Sequence, residues 1–153
     1  MPLLNYTTKI EAAKTVGEIQ GILAGHGARA IMLEYDGNGN GNIEALSFII
    51  MFDNRELSIK LPIAPDAVLK VMQRQPRVPQ RLQNRPQAIR VAWRIIKEWV
   101  SAQMAIIETN QAKMEQVFLP YVVTLSGKTI YEIASQSLFL QLPVGEKKPL
   151  ENP

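Results

Sequence analysis

A chain of 153 residues with 46% hydrophobic and 20% charged residues is long enough to bury a core and too ordinary in composition for a disordered or fibrous protein. The absence of cysteine excludes disulfides, thiolate catalysis and cysteine-ligated zinc or iron–sulfur sites. The formal net charge of only +3 hides an uneven distribution: 67–97 holds eight basic residues and no carboxylate.

In chain order, Ile10, Ala13, Val16, Ile19, Ile22 and Leu23 recur at helical spacing, which predicts an amphipathic helix over 8–23, stopped by Gly25 and Gly27. The segments 29–35 and 43–52 read as strands joined by the turn-rich stretch Asp36–Asn42, a hairpin. Asp53-Asn54 makes a second tight turn into 55–61, where Leu57, Ile59 and Leu61 alternate with polar residues. Three antiparallel strands with one apolar face need a cover, and the flanking helices supply it, so the expected fold class is α+β.

A short helix is expected over 65–73, after which Pro76, Pro79 and Pro86 interrupt helical structure. Pro86 suits the first turn of a long helix reaching about residue 110, with a resumption over 111–119 before Pro120. Ser126-Gly127 marks a turn, 129–140 a last helix. The expected organisation is a single α+β domain over 1–142, with a helical C-terminal half and an Arg/Gln/Pro loop, and a flexible tail over 143–153.

The basic zone therefore begins on a helix, crosses a loop and ends on another helix. Its candidate nucleic-acid contacts are Lys70, Arg74, Arg77, Arg81, Arg85, Arg90, Arg94 and Lys97. Arginine forks bind phosphate bidentately, the interspersed glutamines donate and accept hydrogen bonds, and three prolines reduce the entropy of ordering the loop. The competing reading is a solvated linker whose arginines pair with Glu34, Glu44 or Glu56 across the fold.

On a helical wheel, Ile89, Ala92, Ile96, Trp99, Val100, Gln103 and Ile107 share a broad face, with Arg90, Arg94 and Lys97 in a stripe beside it. This makes Trp99 a core residue. Trp93, at the boundary, is either a packing residue covered by an arginine stem or a platform on which an unpaired base stacks.

Other motifs carry less. Asp36, Asn38, Asn40 and Gly41 match the first positions of a calcium loop, but Ser47 replaces the bidentate glutamate and the flanks read as strands. Ser126-Gly127-Lys128-Thr129 is similar to the end of a phosphate-binding loop, yet Val122 stands where that motif requires glycine. His26, the only histidine, has no evident nucleophile partner. A nonenzymatic protein without metal or cofactor is expected.

At Val71-Met-Gln-Arg-Gln75, Arg90-Val-Ala-Trp-Arg-Ile-Ile-Lys97 and Val117-Phe-Leu-Pro-Tyr121 the chain resembles small proteins of bacteriophages and integrated elements, a group to which no activity is attached. The resemblance implies a bacterial or viral cytoplasmic setting, in which small basic proteins coat single strands or disable host factors. It carries no site residues, and the tail Gly-Glu-Lys-Lys-Pro-Leu-Glu-Asn-Pro lacks the acidic tip of a typical bacterial single-strand binder.

Two functions follow as expectations. One is a single-stranded DNA- or RNA-binding protein, homo-oligomeric and of limited sequence specificity. The other is a protein-interaction module that presents the same basic surface to an acidic host protein. Without a basic leader before an apolar run, or an apolar stretch of about 20 residues, no export or membrane insertion is expected.

Overall fold

The computed structural model describes residues 3–143 and 145, leaving aside the side chain of residue 139. It is an α+β fold: an N-terminal helix, a three-stranded antiparallel sheet and a helical C-terminal half. Helix α1 spans Ala12–Gly25, strands β1, β2 and β3 span Ala30–Tyr35, Ile43–Phe52 and Arg55–Lys60, and helices α2 and α3 span Pro65–Arg74 and Arg85–Glu108. A 3-10 turn at Gln80–Leu82 separates the last two; the short helices α4, Met114–Val117, and α5, Ile130–Gln136, follow. The tail expected over 143–153 falls outside the described residues except at 143 and 145.

Helix α1 begins four residues later than its apolar spacing predicts, and a tertiary contact explains why. Gln87 Nε2 donates to the carbonyls of Tyr6 (3.0 Å) and Thr8 (2.9 Å). The Thr8 carbonyl is the one that an α-helix continuing to residue 8 would offer to the amide of Ala12. With that acceptor engaged by Gln87, 8–11 lies outside the helix and Glu11, in extended backbone, is the N-cap. The other end follows the sequence: Gly27 adopts φ +96°, and the amides of Ala28 and Gly27 return to the carbonyls of Leu23 and Ala24, the paired bonds of a Schellman stop.

The sheet order is β1-β2-β3. The β1–β2 connection carries glycines at 37, 39 and 41, all with positive φ, and Asp36 Oδ1 accepts from the amide of Asn38. Asp53 and Asn54 both adopt positive φ, as a two-residue hairpin turn between paired Phe52 and Arg55 requires. Leu46, Phe48, Ile50 and Ile59 point to the covered face, where they meet Val16, Ile19 and Leu23 of α1 and Ile89, Trp93, Ile96, Val100 and Met104 of α3. Phe118 closes this core, edge-on to both Phe48 and Trp99.

Helix α3 is buried on a second side as well. Ala88 and Val91 join Met72 and Val78 in a smaller cluster, which Val68 and Leu69 of α2 and Leu3 and Tyr6 of the N-terminal segment cover. A helix packed on two sides has no single apolar face, so the wheel is right for Ile89, Ile96, Val100 and the partly buried Trp99 and Ile107 but leaves out Trp93 and Met104. The stripe that meets the sheet is Ile89, Trp93, Ile96, Val100 and Met104; Trp99 lies on its flank, half-buried against Phe118 and Tyr121.

One buried polar atom on α1 has no partner. Thr15 is fully buried and its Oγ1 makes no hydrogen bond. Replacing that hydroxyl by a methyl group of the same shape removes a desolvation penalty. Thr15→Val is expected to raise the unfolding free energy by about 1 kcal/mol, measurable as an increased urea midpoint with unchanged slope.

Candidate nucleic-acid interface

The folded chain divides the eight basic residues of 67–97 into two groups. The group on α3 is engaged by α1. Arg90 Nη2 lies 3.4 Å from Glu11, Arg94 Nη1 donates to Glu18 at 2.8 Å, and Lys97 Nζ lies 3.1 Å from the same carboxylate. The Arg94 side chain retains only 15% of its accessible surface. The hydrogen bond from Lys97 and then that from Arg94 hold the Glu18 carboxyl below its ordinary value, against an opposing effect of burial. Arg94 and Lys97 thereby link two helices and are poorly placed to meet phosphates, whereas Arg90 is held only by the longer contact to Glu11.

Farther along the same rail, the His26 ring joins the C-terminal ends of α1 and α3. Nδ1 is 2.7 Å from the carbonyl of Ile22, and Nε2 is 2.6 Å from Glu108 Oε1. Both ring nitrogens face acceptors, and only the imidazolium can donate from both. The Ile22 carbonyl first, and Glu108 second, raise the pKa above the ordinary 6.5. Because the folded-state value is raised, the stabilisation is fully present below pH 6.5 and is lost as pH rises through the folded value. The wild-type melting temperature is therefore expected to fall across that window relative to His26→Gln, with the difference between the two flat at more acid pH.

The acids that engage the basic zone are Glu11, Glu18 and Asp66. Of the three that the competing reading named, Glu34 instead faces Lys60 across the sheet at 4.0 Å, and neither Glu44 nor Glu56 pairs with a described residue. A sequence signal for the observed rail existed: Glu11 and Glu18 are seven apart on one helical face, as are Arg90 and Lys97 on another. Arg85 is exposed but pairs with Asp66 at the start of α2.

The second group is free of such pairing. Lys70 and Arg74 sit one helical turn apart on α2, Arg77 in the following loop and Arg81 in the 3-10 turn. All four are exposed, and none makes an ion pair with a described residue. Local packing fixes the segment that carries Arg77 and Arg81: Val78 is buried under it, Gln83 Nε2 donates to the Val78 carbonyl at 2.9 Å, and Asn84 caps α3 by accepting from the amide of Gln87 at 2.9 Å. The result is a short cationic track on a supported backbone.

Trp93 cannot serve as a stacking platform in this fold. It is 0% exposed, and its indole Nε1 donates to the carbonyl of Ile43 at 3.3 Å. The two-sided packing of α3 turns it into the sheet core, which corrects the expectation that it could stand at the edge of the basic stripe. Among the described residues no cluster of three histidine or acidic side chains could hold a metal ion, and no helix is long and apolar enough to cross a membrane. No family model, no curated protein and no solved structure matches this chain.

Proposed function

We propose that the protein is a nonenzymatic binder of single-stranded nucleic acid, belonging to a bacteriophage or mobile element, and that it engages backbone phosphates through Lys70, Arg74, Arg77 and Arg81. The carrying observation is the division of the basic zone: these four cations are exposed and without ion pairs to described residues, while Arg90, Arg94 and Lys97 face carboxylates. Exposed arginines on a braced loop offer forks for phosphate oxygens without a large ordering cost. Arg85 contributes once a phosphate competes with Asp66 for its guanidinium.

With Trp93 buried, base stacking at that position has no part in the reading, and binding rests on charge. Such binding is weakly specific and falls steeply with salt. A self-associating protein would align several tracks along one strand.

The test is anisotropy titration of a labelled single-stranded oligonucleotide across a range of salt concentrations. Linear, salt-dependent affinity without quenching of tryptophan fluorescence is expected. Absence of binding at low salt, with an acidic protein partner recovered in stoichiometric amount on purification, would transfer the same surface to a protein ligand.

A further inference from the structure

A cleft of about 380 Å³ opens beside the end of the cationic track, where three separate segments meet. The segment before α1 contributes Thr7, Thr8, Lys9 and Glu11, the 3-10 turn contributes Arg81, and the second turn of α3 contributes Arg90. Gln87, nearly fully buried, holds the arrangement together: its Nε2 anchors the carbonyls of Tyr6 and Thr8, and its Oε1 accepts from Arg90 Nη1 at 3.3 Å. A buried amide thus fixes the backbone of the segment before α1, which forms one side of the cleft.

The donors in this cleft have capacity to spare. Arg90 engages only two of its five N–H groups with described residues, Gln87 at 3.3 Å and Glu11 at 3.4 Å, both long for charge-assisted bonds. Lys9 and Arg81 are exposed and make no ion pair with a described residue. The Thr8 hydroxyl accepts from the amide of Ile10 at 3.2 Å and still has its own proton to give. Three cations against the single carboxylate of Glu11 leave a formal surplus of two positive charges, which matches a phosphate monoester dianion better than the single charge of an internal phosphodiester.

We infer that this cleft binds a phosphate monoester, and that its source is the terminal phosphate of a nucleic-acid strand lying on the track. The choice of source rests on the proposed function, because Arg81 belongs to both the track and the cleft. A strand passing from Lys70 toward Arg81 brings its end phosphate to Lys9, Arg90 and the two threonines. The second proton of a monoester dissociates near pH 6, so the contact strengthens as pH rises through that value.

The experiment compares oligonucleotides of one sequence bearing a 5′-phosphate, a 3′-phosphate or hydroxyls at both ends, labelled internally, together with inorganic phosphate followed through the amide resonances of 7–11. One terminal phosphate is expected to tighten binding about tenfold, as befits added charge-assisted hydrogen bonds. Lys9→Gln is expected to bring that ratio close to one, and Lys14→Gln, a control outside the cleft, to leave it intact. Below about pH 6 the preference should shrink.

Inorganic phosphate shifting the 7–11 resonances in a Lys9-dependent way, with no preference among strand ends, would keep the phosphate site and overturn the strand end as its source. Equal affinities for all three strands with no response to millimolar phosphate would overturn the cleft altogether. Binding of the hydroxyl-ended strand is read separately, so loss of the cleft proposal leaves the proposed function standing. Failure of every strand to bind removes that function instead.

Discussion

Trp93→Ala is expected to destabilise the protein by about 3–5 kcal/mol, the range for truncating a large buried aromatic residue. The side chain is completely buried, lies between Ile89 and Ile96 in the stripe facing the sheet, and ties α3 to the start of β2 through the Ile43 carbonyl. Alanine would leave a cavity where α1, α3 and the sheet meet, and rigid secondary structure on three sides limits its collapse. Trp93→Phe separates the two contributions: it retains most of the apolar contact and removes the hydrogen bond, with an expected cost of about 1–2 kcal/mol. Urea unfolding of both variants gives the comparison. A Trp93→Ala protein with wild-type stability and impaired oligonucleotide binding would return this residue to the ligand surface and contradict its place in the core.

The second large effect concerns the division of the basic residues. Replacing Lys70, Arg74, Arg77 and Arg81 together by glutamine is expected to remove most single-strand binding while changing stability little, since exposed substitutions without partners usually stay within about 0.5 kcal/mol each. Each phosphate contact contributes about 0.7 to the salt dependence on a single strand, so losing four lowers the slope by about 3. Through those four sites alone, wild-type affinity would fall about 50-fold between about 50 and about 200 mM salt.

Arg94→Ala should do the opposite. It leaves Glu18 with one cation in place of two, so thermal stability should drop, whereas the salt slope should hardly move. Slopes that respond to Arg94 and ignore the four track residues would place the ligand on the α1–α3 rail.

The character of most local segments was legible from residue order alone, although the helix expected over 111–119 is only Met114–Val117 followed by a 3-10 turn, and that expected over 129–140 ends at Gln136. Alternation in Leu46, Phe48 and Ile50 specified a strand with one buried face, and the positive-φ positions at Asp53, Asn54 and Gly27 fell where turn chemistry put them. Pro86 lies in the first turn of α3, one residue after its start at Arg85. These features depend on backbone preference and on the period of apolar residues, which neighbours in sequence express without help from the rest of the chain. The concentration of cations over 67–97 was equally visible.

Which of those cations remain available was decided only by packing. Arg90, Arg94 and Lys97 look as free in sequence as Arg74, Arg77 and Arg81, since the carboxylates that engage them lie more than 70 residues away, on α1 and its N-cap. The burial of Trp93 and the late start of α1 have the same origin. Trp93 turns inward because α3 packs against the sheet on one side and α2 on the other, and residues 8–11 lie outside the helix where Gln87 engages the Thr8 carbonyl. Periodicity reports the faces a helix possesses. Which partners cover those faces, and which charges they neutralise, is fixed by contacts between segments far apart in the chain, and the tertiary structure alone supplies them.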